Sequence, residues 1–555
     1  MNDLLRIHKL LENKFKGKIP KFLILTSVAT ILEIFSIGLI VPLVSSLLDV
    51  KIILFNHLDL SKFNLNNILL VLFFIYSLKT IYLIKFNRWQ FNLIYKINHN
   101  LTNRLFEKYI NFDYYNYLKK NSSELVRNII NVENFTHNIH QSVILVSEII
   151  LIFAFLLLLL FFQPLVTLSV VFVGFILGFF FLKVLNPSLI KYGEDYQIKS
   201  KALIQEINQS INNFKDIKIY QKQNFFLKKF SISTNVYSNS IKKNEYFKAL
   251  PRIIIEFVAI LVILLIIFSM LFLQLENKEI ISFVALFAAI GFRLIPSLNK
   301  IIAAIQHLKY YLKLTDNLSF DLNYIEENLT NSEGIDFVNY IQLKNLEYSY
   351  DKKKYIFKNL NLIIEKNKIT GIKGKTGSGK TTLVNIITGL LSPTNGEIFV
   401  DKKKVNLNNS NWFKKIGYVP QRIMLNETTI KKNIAYGIED LDIDDERLKK
   451  VISLAQLDEF VNNIGGVNKK ISELGKNISG GQIQRLGIAR ALYNEPEILI
   501  LDESTSNLDK FTEVNFINSI KTLSKNKTLL IISHDDIPLK ICDKIYNIDE
   551  MLTDR

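Results

Sequence analysis

The sequence predicts a multi-domain membrane protein, with an all-α domain of six membrane helices followed by an α/β domain. Two observations carry that expectation. Long apolar runs are confined to the first 310 or so of the 555 residues, and beyond residue 335 short β-branched runs alternate with helical patterns. Hydrophobic residues make up 49% of the chain while charged residues still reach 21%, which fits one part in lipid joined to another in water. A single cysteine, Cys542, excludes an intrachain disulfide framework or a paired-cysteine metal site. The net charge of +17 does not by itself imply nucleic acid, because membrane proteins collect Lys and Arg on cytoplasmic loops, and no nucleic-acid partner is expected.

The apolar runs define six spans, at about 22–48, 67–85, 141–162, 164–185, 253–275 and 279–305, within a membrane domain over residues 1–314. About 20 residues at 1.5 Å rise cross a ~30 Å hydrocarbon core, and backbone groups unpaired in lipid require these runs to be helical. The N-terminal stretch carries Arg6, Lys9, Lys14, Lys16, Lys18 and Lys21, and the loops near 86–140 and 186–250 are also basic. The opposite loops offer only Lys51, Lys62 and Lys278, so the N-terminus, both long loops and everything after residue 310 are expected in the cytoplasm. Glu33, the length of the first run and the lack of a small-residue cleavage pattern argue against a cleaved signal peptide. Polar helical periodicity in the long loops predicts helices that project beyond the membrane. The stretch Asp49 to Asn66 mixes apolar and polar residues and reads either as a surface-lying amphipathic segment or as a packed loop.

Residues 315–334 are polar and acidic and read as a linker, leaving 335–555 as one domain. Its strongest signal is GKTGSGKT, Gly374, Lys375, Thr376, Gly377, Ser378, Gly379, Lys380 and Thr381, which follows the apolar run Lys368 to Ile372 and opens a helix at Leu383. That is the context of a P-loop: the glycines turn backbone N–H groups onto phosphate oxygens, Lys380 neutralises the β- and γ-phosphates, and Thr381 offers a hydroxyl to Mg²⁺. ATP and Mg²⁺ are the expected ligands, with Thr382 also expected to bind ATP. Farther on, Ile498 to Leu501 is a buried-strand pattern that ends in Asp502 and Glu503. This delivers one carboxylate to the metal shell and a second, catalytic one to an attacking water. Between these motifs, Ser479, Gly480, Gly481 and Gln482 open a second helix with an anion-accepting N-terminus.

The three elements in this order resemble the nucleotide-binding domain of ATP-binding cassette (ABC) transporters, over about residues 340–550. The resemblance implies further roles by position: Tyr350 stacks on adenine, Gln421 in YVPQ touches Mg²⁺ and the membrane domain, Glu473 meets coupling helices, Asp509 in SNLD lies in the D-loop, and His534 is the switch histidine at the γ-phosphate. Catalysis is thereby expected of Glu503, His534 and Gln421. The departures are Ile478 for the usual leucine, SNLD for SALD, Asp535-Asp536 after the histidine, and an incomplete glycine pattern around Glu473. In this family ATP is held between the P-loop of one domain and the SGGQ of another, which implies two copies, most simply a homodimer. A six-span unit on the same chain resembles the exporter type, with coupling turns near Tyr114 to Tyr117 and Asn213 to Tyr220.

Ionisable groups at membrane depth cost roughly 2.5–3.5 kcal/mol on insertion scales, so Lys79, Arg252, Arg293 and Lys300 face a cavity, snorkel to the interface, or pair with Glu33, Glu148 and Glu256. A cationic cavity suits a phosphate or pyrophosphate group. EIFSIGLIVPLVSSLLD from Glu33, ALPRIIIEF from Ala249 and FRLIPSLNKIIAAIQHLKYY from Phe292 are similar to PglK-type lipid-linked oligosaccharide flippases. That resemblance implies ATP-driven flipping of a polyprenyl-pyrophosphate-linked oligosaccharide across the bacterial inner membrane for protein glycosylation, with those four cations binding substrate. The alternative is an exporter of another glycolipid, a drug or a peptide.

Overall fold

The computed structural model describes residues 12–39, 65–162, 198–272, 277–323, 334–351, 353–408, 410–471, 478–504 and 526–551, with isolated positions between them (43, 53–54, 58–59, 191–192, 194–196, 513 and 521). The chain divides into two compact units, Met1–Phe112 with Tyr117–Glu326, and Asp113–Asn116 with Glu327–Arg555. The expected span at 164–185, residues 40–42 and 44–48 of the first span, Glu473 and Asp509 lie outside the described residues.

Among the described residues, the first unit is helical apart from a two-strand hairpin, β1 (Ile53–Leu54) and β2 (Leu58–Asp59), inside the stretch read as an amphipathic segment or loop. Its helices include α1 (Ile19–Gly38), α2 (Leu65–Ile110), α3 (Tyr114–Lys119, whose first three residues belong to the second unit), α4 (Ser122–Ile130), α5 (Val132–Phe162), α6 (Phe214–Ile219), α7 (Gln223–Phe272), α8 (Asn277–Tyr310) and α9 (Leu312–Asn323). Among the described residues, three helical stretches, Asn13–Ser36, Leu65–Ile110 and Ser122–Leu157, are long and apolar enough to cross a membrane. The 46 residues of α2 and 50 of α7 exceed the roughly 20 that a bilayer needs, so each helix continues well past its apolar run. Short helices α3 and α6 occupy the two expected coupling turns.

Outside the apolar window, α2 repeats its buried residues every four positions, at Ile97, Leu101, Leu105 and Tyr109. These pack with Leu125, Phe135 and Ile139, and with Leu314, Leu318 and Leu322 of α9, into a core of the water-soluble kind. The linker expected from residue 315 is therefore corrected: it is helical as far as Asn323. The polar residues of TDNLSFDLN conceal a four-residue leucine stripe, and burial of each leucine contributes about 1.5–3 kcal/mol.

The second unit holds two sheets. A five-stranded parallel sheet has the order β11-β5-β10-β9-β8, built from β5 (Ile369–Lys373), β8 (Ile416–Val419), β9 (Ile498–Asp502), β10 (Thr528–Ser533) and β11 (Lys544–Asn547). An antiparallel sheet has the order β4-β3-β6-β7, from β3 (Tyr340–Ser349), β4 (Tyr355–Glu365), β6 (Asn395–Val400) and β7 (Lys403–Lys404). Alternation along the strands divides two cores. Ile498, Ile500, Leu530 and Ile532 face the antiparallel sheet and helix α10 (Lys380–Ile387), while Leu499, Leu501, Leu529 and Ile531 face helices that include α11 (Asp445–Leu454) and α12 (Gly480–Tyr493). A parallel sheet covered on both faces opens to solvent at its strand ends, and there a ligand can approach.

Two glycines separate backbone strain from steric space. Gly389 has φ +84° and a Cβ there would lie 2.1 Å from the Leu407 carbonyl oxygen, whereas Gly437 has φ +79° and open space around it. Gly437→Ala is expected to cost about 1–2 kcal/mol of left-handed backbone energy, and Gly389→Ala clearly more. Thermal unfolding of the detergent-purified chain checks this; equal shifts would contradict it.

Candidate active site

The P-loop runs from the C-terminal end of β5 to the first turn of α10. Gly377 and Gly379 take φ +87° and +95°, and a Cβ on Gly379 would lie 2.5 Å from Ile356 Cγ2 and 2.8 Å from Phe357 Cζ. Only glycine lets the loop curl back at that point. Lys380 is buried, and its ammonium donates to the carbonyls of Gly374 (2.7 Å) and Lys375 (3.1 Å). Ser378 Oγ is buried without a hydrogen-bond partner, while Lys375, Thr376, Gly377 and Thr381 are exposed. A buried cation and an orphaned hydroxyl beside the amino end of a helix fit a polyphosphate.

At the ends of the neighbouring strands, Asp502 closes β9 and Glu503 follows on left-handed backbone, φ +47°, its N–H donating to the Ile532 carbonyl (2.9 Å). A non-glycine residue in that region carries strain of about 1–3 kcal/mol, and such strain concentrates at functional sites. Three predicted residues converge on the Glu503 carboxylate. Gln421 Nε2 donates to Oε2 at 2.6 Å, Lys380 Nζ lies 3.6 Å from Oε1, and His534 Nδ1 lies 3.4 Å from Oε1. The carboxylate itself is only 15% exposed, while His534 is half-exposed, so the group is closed on the protein side and open on one side. A carboxylate so placed can accept a proton from water or orient it.

Tyr350 Oη lies 3.3 Å from the hydroxyl of Thr382 on α10, which puts the expected adenine-stacking ring beside the P-loop helix. Ser479 caps α12 in a reciprocal box: its Oγ accepts from the Gln482 N–H (3.3 Å) and its own N–H donates to Gln482 Oε1 (2.9 Å). Gly480 and Gly481 form the first turn, with their N–H groups at an anion-accepting helix end.

All four membrane cations have carboxylate neighbours in their own unit, so pairing, one of the arrangements open to them, is the one found. Glu33, 8% exposed, lies between Lys79 Nζ (3.2 Å) and Arg293 Nε, the latter in a close ion contact at 2.6 Å that lacks hydrogen-bond geometry. Lys79 also donates to Ser36 Oγ (3.3 Å) and lies over the Tyr76 ring. Lys300 Nζ binds buried Glu148 at 2.7 Å, leaving Glu148 Oε2 unpartnered, and Arg252 makes an exposed i,i+4 pair with Glu256 at 2.9 Å. Two cations on one buried carboxylate leave a net positive charge at Glu33.

The profile of the ABC transporter domain matches residues 357–506, and that of the ABC transporter transmembrane region matches residues 22–294. The chain is an ABC transporter of the exporter type. It is 30% identical over 388 residues to a Rickettsia felis protein named as an export ATP-binding/permease protein, covering 66% of each chain. A multidrug resistance ABC transporter ATP-binding and permease protein of Lactococcus lactis subsp. lactis is 34% identical over 239 residues, 42% of this chain and 40% of that one. The solved structure of a bacterial Atm1-family ABC exporter has the same fold, with a TM-score of 0.79 at 17% identity, over 97% of this chain and 95% of that one. The membrane-embedded N-terminal domain and the ATP-binding C-terminal domain make this ABC transporter an ATPase whose hydrolysis is coupled to transport.

Two residues of the ABC transporter's site carried no signal in its sequence. Tyr418 on β8 donates to Asp502 Oδ2 at 3.1 Å; only the parallel pairing of β8 with β9 brings them together. Arg490 on α12 donates to the Met424 carbonyl (3.0 Å) and the Asn433 carbonyl (2.7 Å), and Gly487 admits Ile423, so the helix that begins at Ser479 grips the segment after Gln421. Burial first, then the Glu503 charge, pushes the Asp502 carboxyl above the usual carboxylate range, against the opposing effects of the Tyr418 hydrogen bond and Lys380. Tyr418, itself pushed up by burial and by Asp502, remains a donor at neutral pH. Its hydroxyl favours the ionised carboxylate, so Tyr418→Phe lets Asp502 protonate at higher pH. The acid limb of the ATP-hydrolysis pH profile is expected to move upward in the variant; an unmoved limb would contradict that role.

Proposed function

We propose that this ABC transporter flips a polyprenyl-pyrophosphate-linked oligosaccharide from the inner to the outer leaflet of the bacterial inner membrane, for protein glycosylation. The surplus positive charge where Lys79 and Arg293 share buried Glu33 carries the reading. A pyrophosphate is the lipid-borne anion that suits it, because it presents several oxygens to an arginine fork and an ammonium. Arg252 and Lys300, half to mostly exposed beside their carboxylates, supply further positive charge to an incoming head group. The similarity of the Glu33, Ala249 and Phe292 segments to lipid-linked oligosaccharide flippases supports the same reading, and the basic loops put the N-terminus and the ATPase domain in the cytoplasm.

Two copies work together in this reading, each holding ATP between its own P-loop and the Ser479–Gln482 turn of the other, with Asp509 at the D-loop. Thr381, Asp502 and Gln421 would hold Mg²⁺, which supplies charge neutralisation at the β- and γ-phosphates. Glu503 then takes a proton from water while Gln421 and His534 hold it in place. Helices α3 and α6 would convey the opening and closing of the ATPase domains to the membrane helices, alternating the cavity between the two sides. A second reading, export of an amphipathic drug, is favoured by the name of the Lactococcus relative.

Removing both cations alone would strand Glu33, so the informative variant combines Lys79→Gln and Arg293→Gln with Glu33→Gln. In proteoliposomes it is expected to slow flipping of a polyprenyl-pyrophosphate-linked oligosaccharide about tenfold or more. Undiminished flipping would contradict the proposed substrate site.

A further inference from the structure

The edge of the parallel sheet carries a carboxylate that the site above does not use. β11 is the outermost strand beside β5, and their pairing ends where Asn547 lies opposite Lys373. Past that point β5 becomes the P-loop and β11 becomes a short helix, α13 (Ile548–Met551). The Lys375 N–H has left the ladder there, and Asp549 Oδ2 accepts it at 2.9 Å. Asp549 is itself held in place. Its N–H donates to Asn547 Oδ1 at 3.2 Å, Asn547 Nδ2 donates to Glu550 Oε1 at 2.6 Å, and the preceding Ile548 is fully buried. A Cβ on Gly374 would lie 3.5 Å from Ile548 Cβ, so the two chain segments touch.

The peptide group that Asp549 holds is the one that serves the P-loop lysine. The Lys375 N–H and the Gly374 C=O belong to one planar unit. Lys380 Nζ donates to that carbonyl at 2.7 Å and to the Lys375 carbonyl, one peptide farther on, at 3.1 Å. A carboxylate on the N–H side therefore fixes which way the unit points, because turning it over would carry the carbonyl away from the ammonium. Hydrogen bonds in a chain also polarise one another, which makes the same carbonyl a better acceptor. From anion to cation the order is Asp549, one peptide, Lys380. Asp549 comes off β11, with β5 and β10 between it and the strand that ends in Asp502.

We propose that Asp549 is a positioning residue for ATP, holding the 374–375 peptide so that its carbonyl aims the Lys380 ammonium at the polyphosphate. The inference rests on the placing of Lys380 at the phosphates and is independent of which substrate is carried. Every group in it belongs to the second unit. Plain buttressing of the loop has a different consequence: its effect would persist after Lys380 is removed, whereas an effect carried by the ammonium would vanish with it.

The test is equilibrium binding of an imido-bridged, non-hydrolysable ATP analogue with Mg²⁺ to the full chain in lipid nanodiscs. Wild type is compared with Asp549→Ala, Asp549→Asn, Lys380→Ala and the double variant of Asp549→Ala with Lys380→Ala. Asp549→Ala is expected to weaken binding about three- to tenfold, and Asp549→Asn, which keeps an accepting oxygen, to recover most of the affinity. The double variant is expected to bind no more weakly than Lys380→Ala alone. Wild-type affinity in Asp549→Ala, no recovery in Asp549→Asn, or losses that multiply in the double variant would overturn the proposal. If Asp549→Ala fails to accumulate, Asp549→Ser, which draws the oxygen back along the side chain, takes its place under the same criteria. Wild-type affinity in Lys380→Ala would remove the lysine reading and this proposal with it, whereas a loss there beside an unaltered Asp549→Ala would overturn the proposal alone.

Discussion

The arrangement around Glu503 governs the rest of the ATPase domain. A carboxylate on left-handed backbone, just past the last residue of a central parallel strand, is brought within 3.6 Å of the P-loop lysine and within hydrogen-bond reach of Gln421. Each of those groups comes from a different strand end. The parallel sheet gathers them at one edge, and it does so only because β9 and β10 are apolar on both faces and covered on both. Chemistry at this edge therefore depends on a core that is blind to nucleotide. The strained Glu503 backbone is tolerated because its N–H continues the ladder to Ile532.

Much of this was legible in the sequence because local chemistry dictates it. Glycine-rich turns between a strand and a helix, an apolar run that ends in Asp-Glu, and Ser-Gly-Gly-Gln before a helical run each carry their own geometry; Gln421 and His534 are assigned only through the resemblance to ABC nucleotide-binding domains, and the structure brings both to Glu503 beside Lys380. What escaped was set by register and by faces. Tyr418 reads as one aromatic in a short strand, and only its pairing opposite β9 places its hydroxyl on Asp502. The helical start of the linker escaped because three leucines at four-residue spacing stand among Asp, Asn and Ser, and composition outweighed period.

The membrane charges show the same limit from another side. The sequence identified Lys79, Arg252, Arg293 and Lys300 as costly at membrane depth and named three carboxylates as possible partners. Which pairs form depends on helix rotation, which apolar background does not encode. The structure joins Lys79 and Arg293 to one glutamate and so concentrates charge at a single point of the bundle. Outside the apolar runs, the first unit carries an ordinary hydrophobic core, in which the helical periodicity of the long loops was readable and the buried cluster of Asp321 with Tyr109 was not.

The central claim is that Glu503, steered by Lys380, Gln421 and His534, activates water for ATP hydrolysis. Single-turnover phosphate release from the Glu503→Gln chain tests it most directly. ATP affinity near wild type with phosphate release slowed about a hundredfold or more is the outcome this geometry predicts. Release within a few-fold of wild type would contradict it.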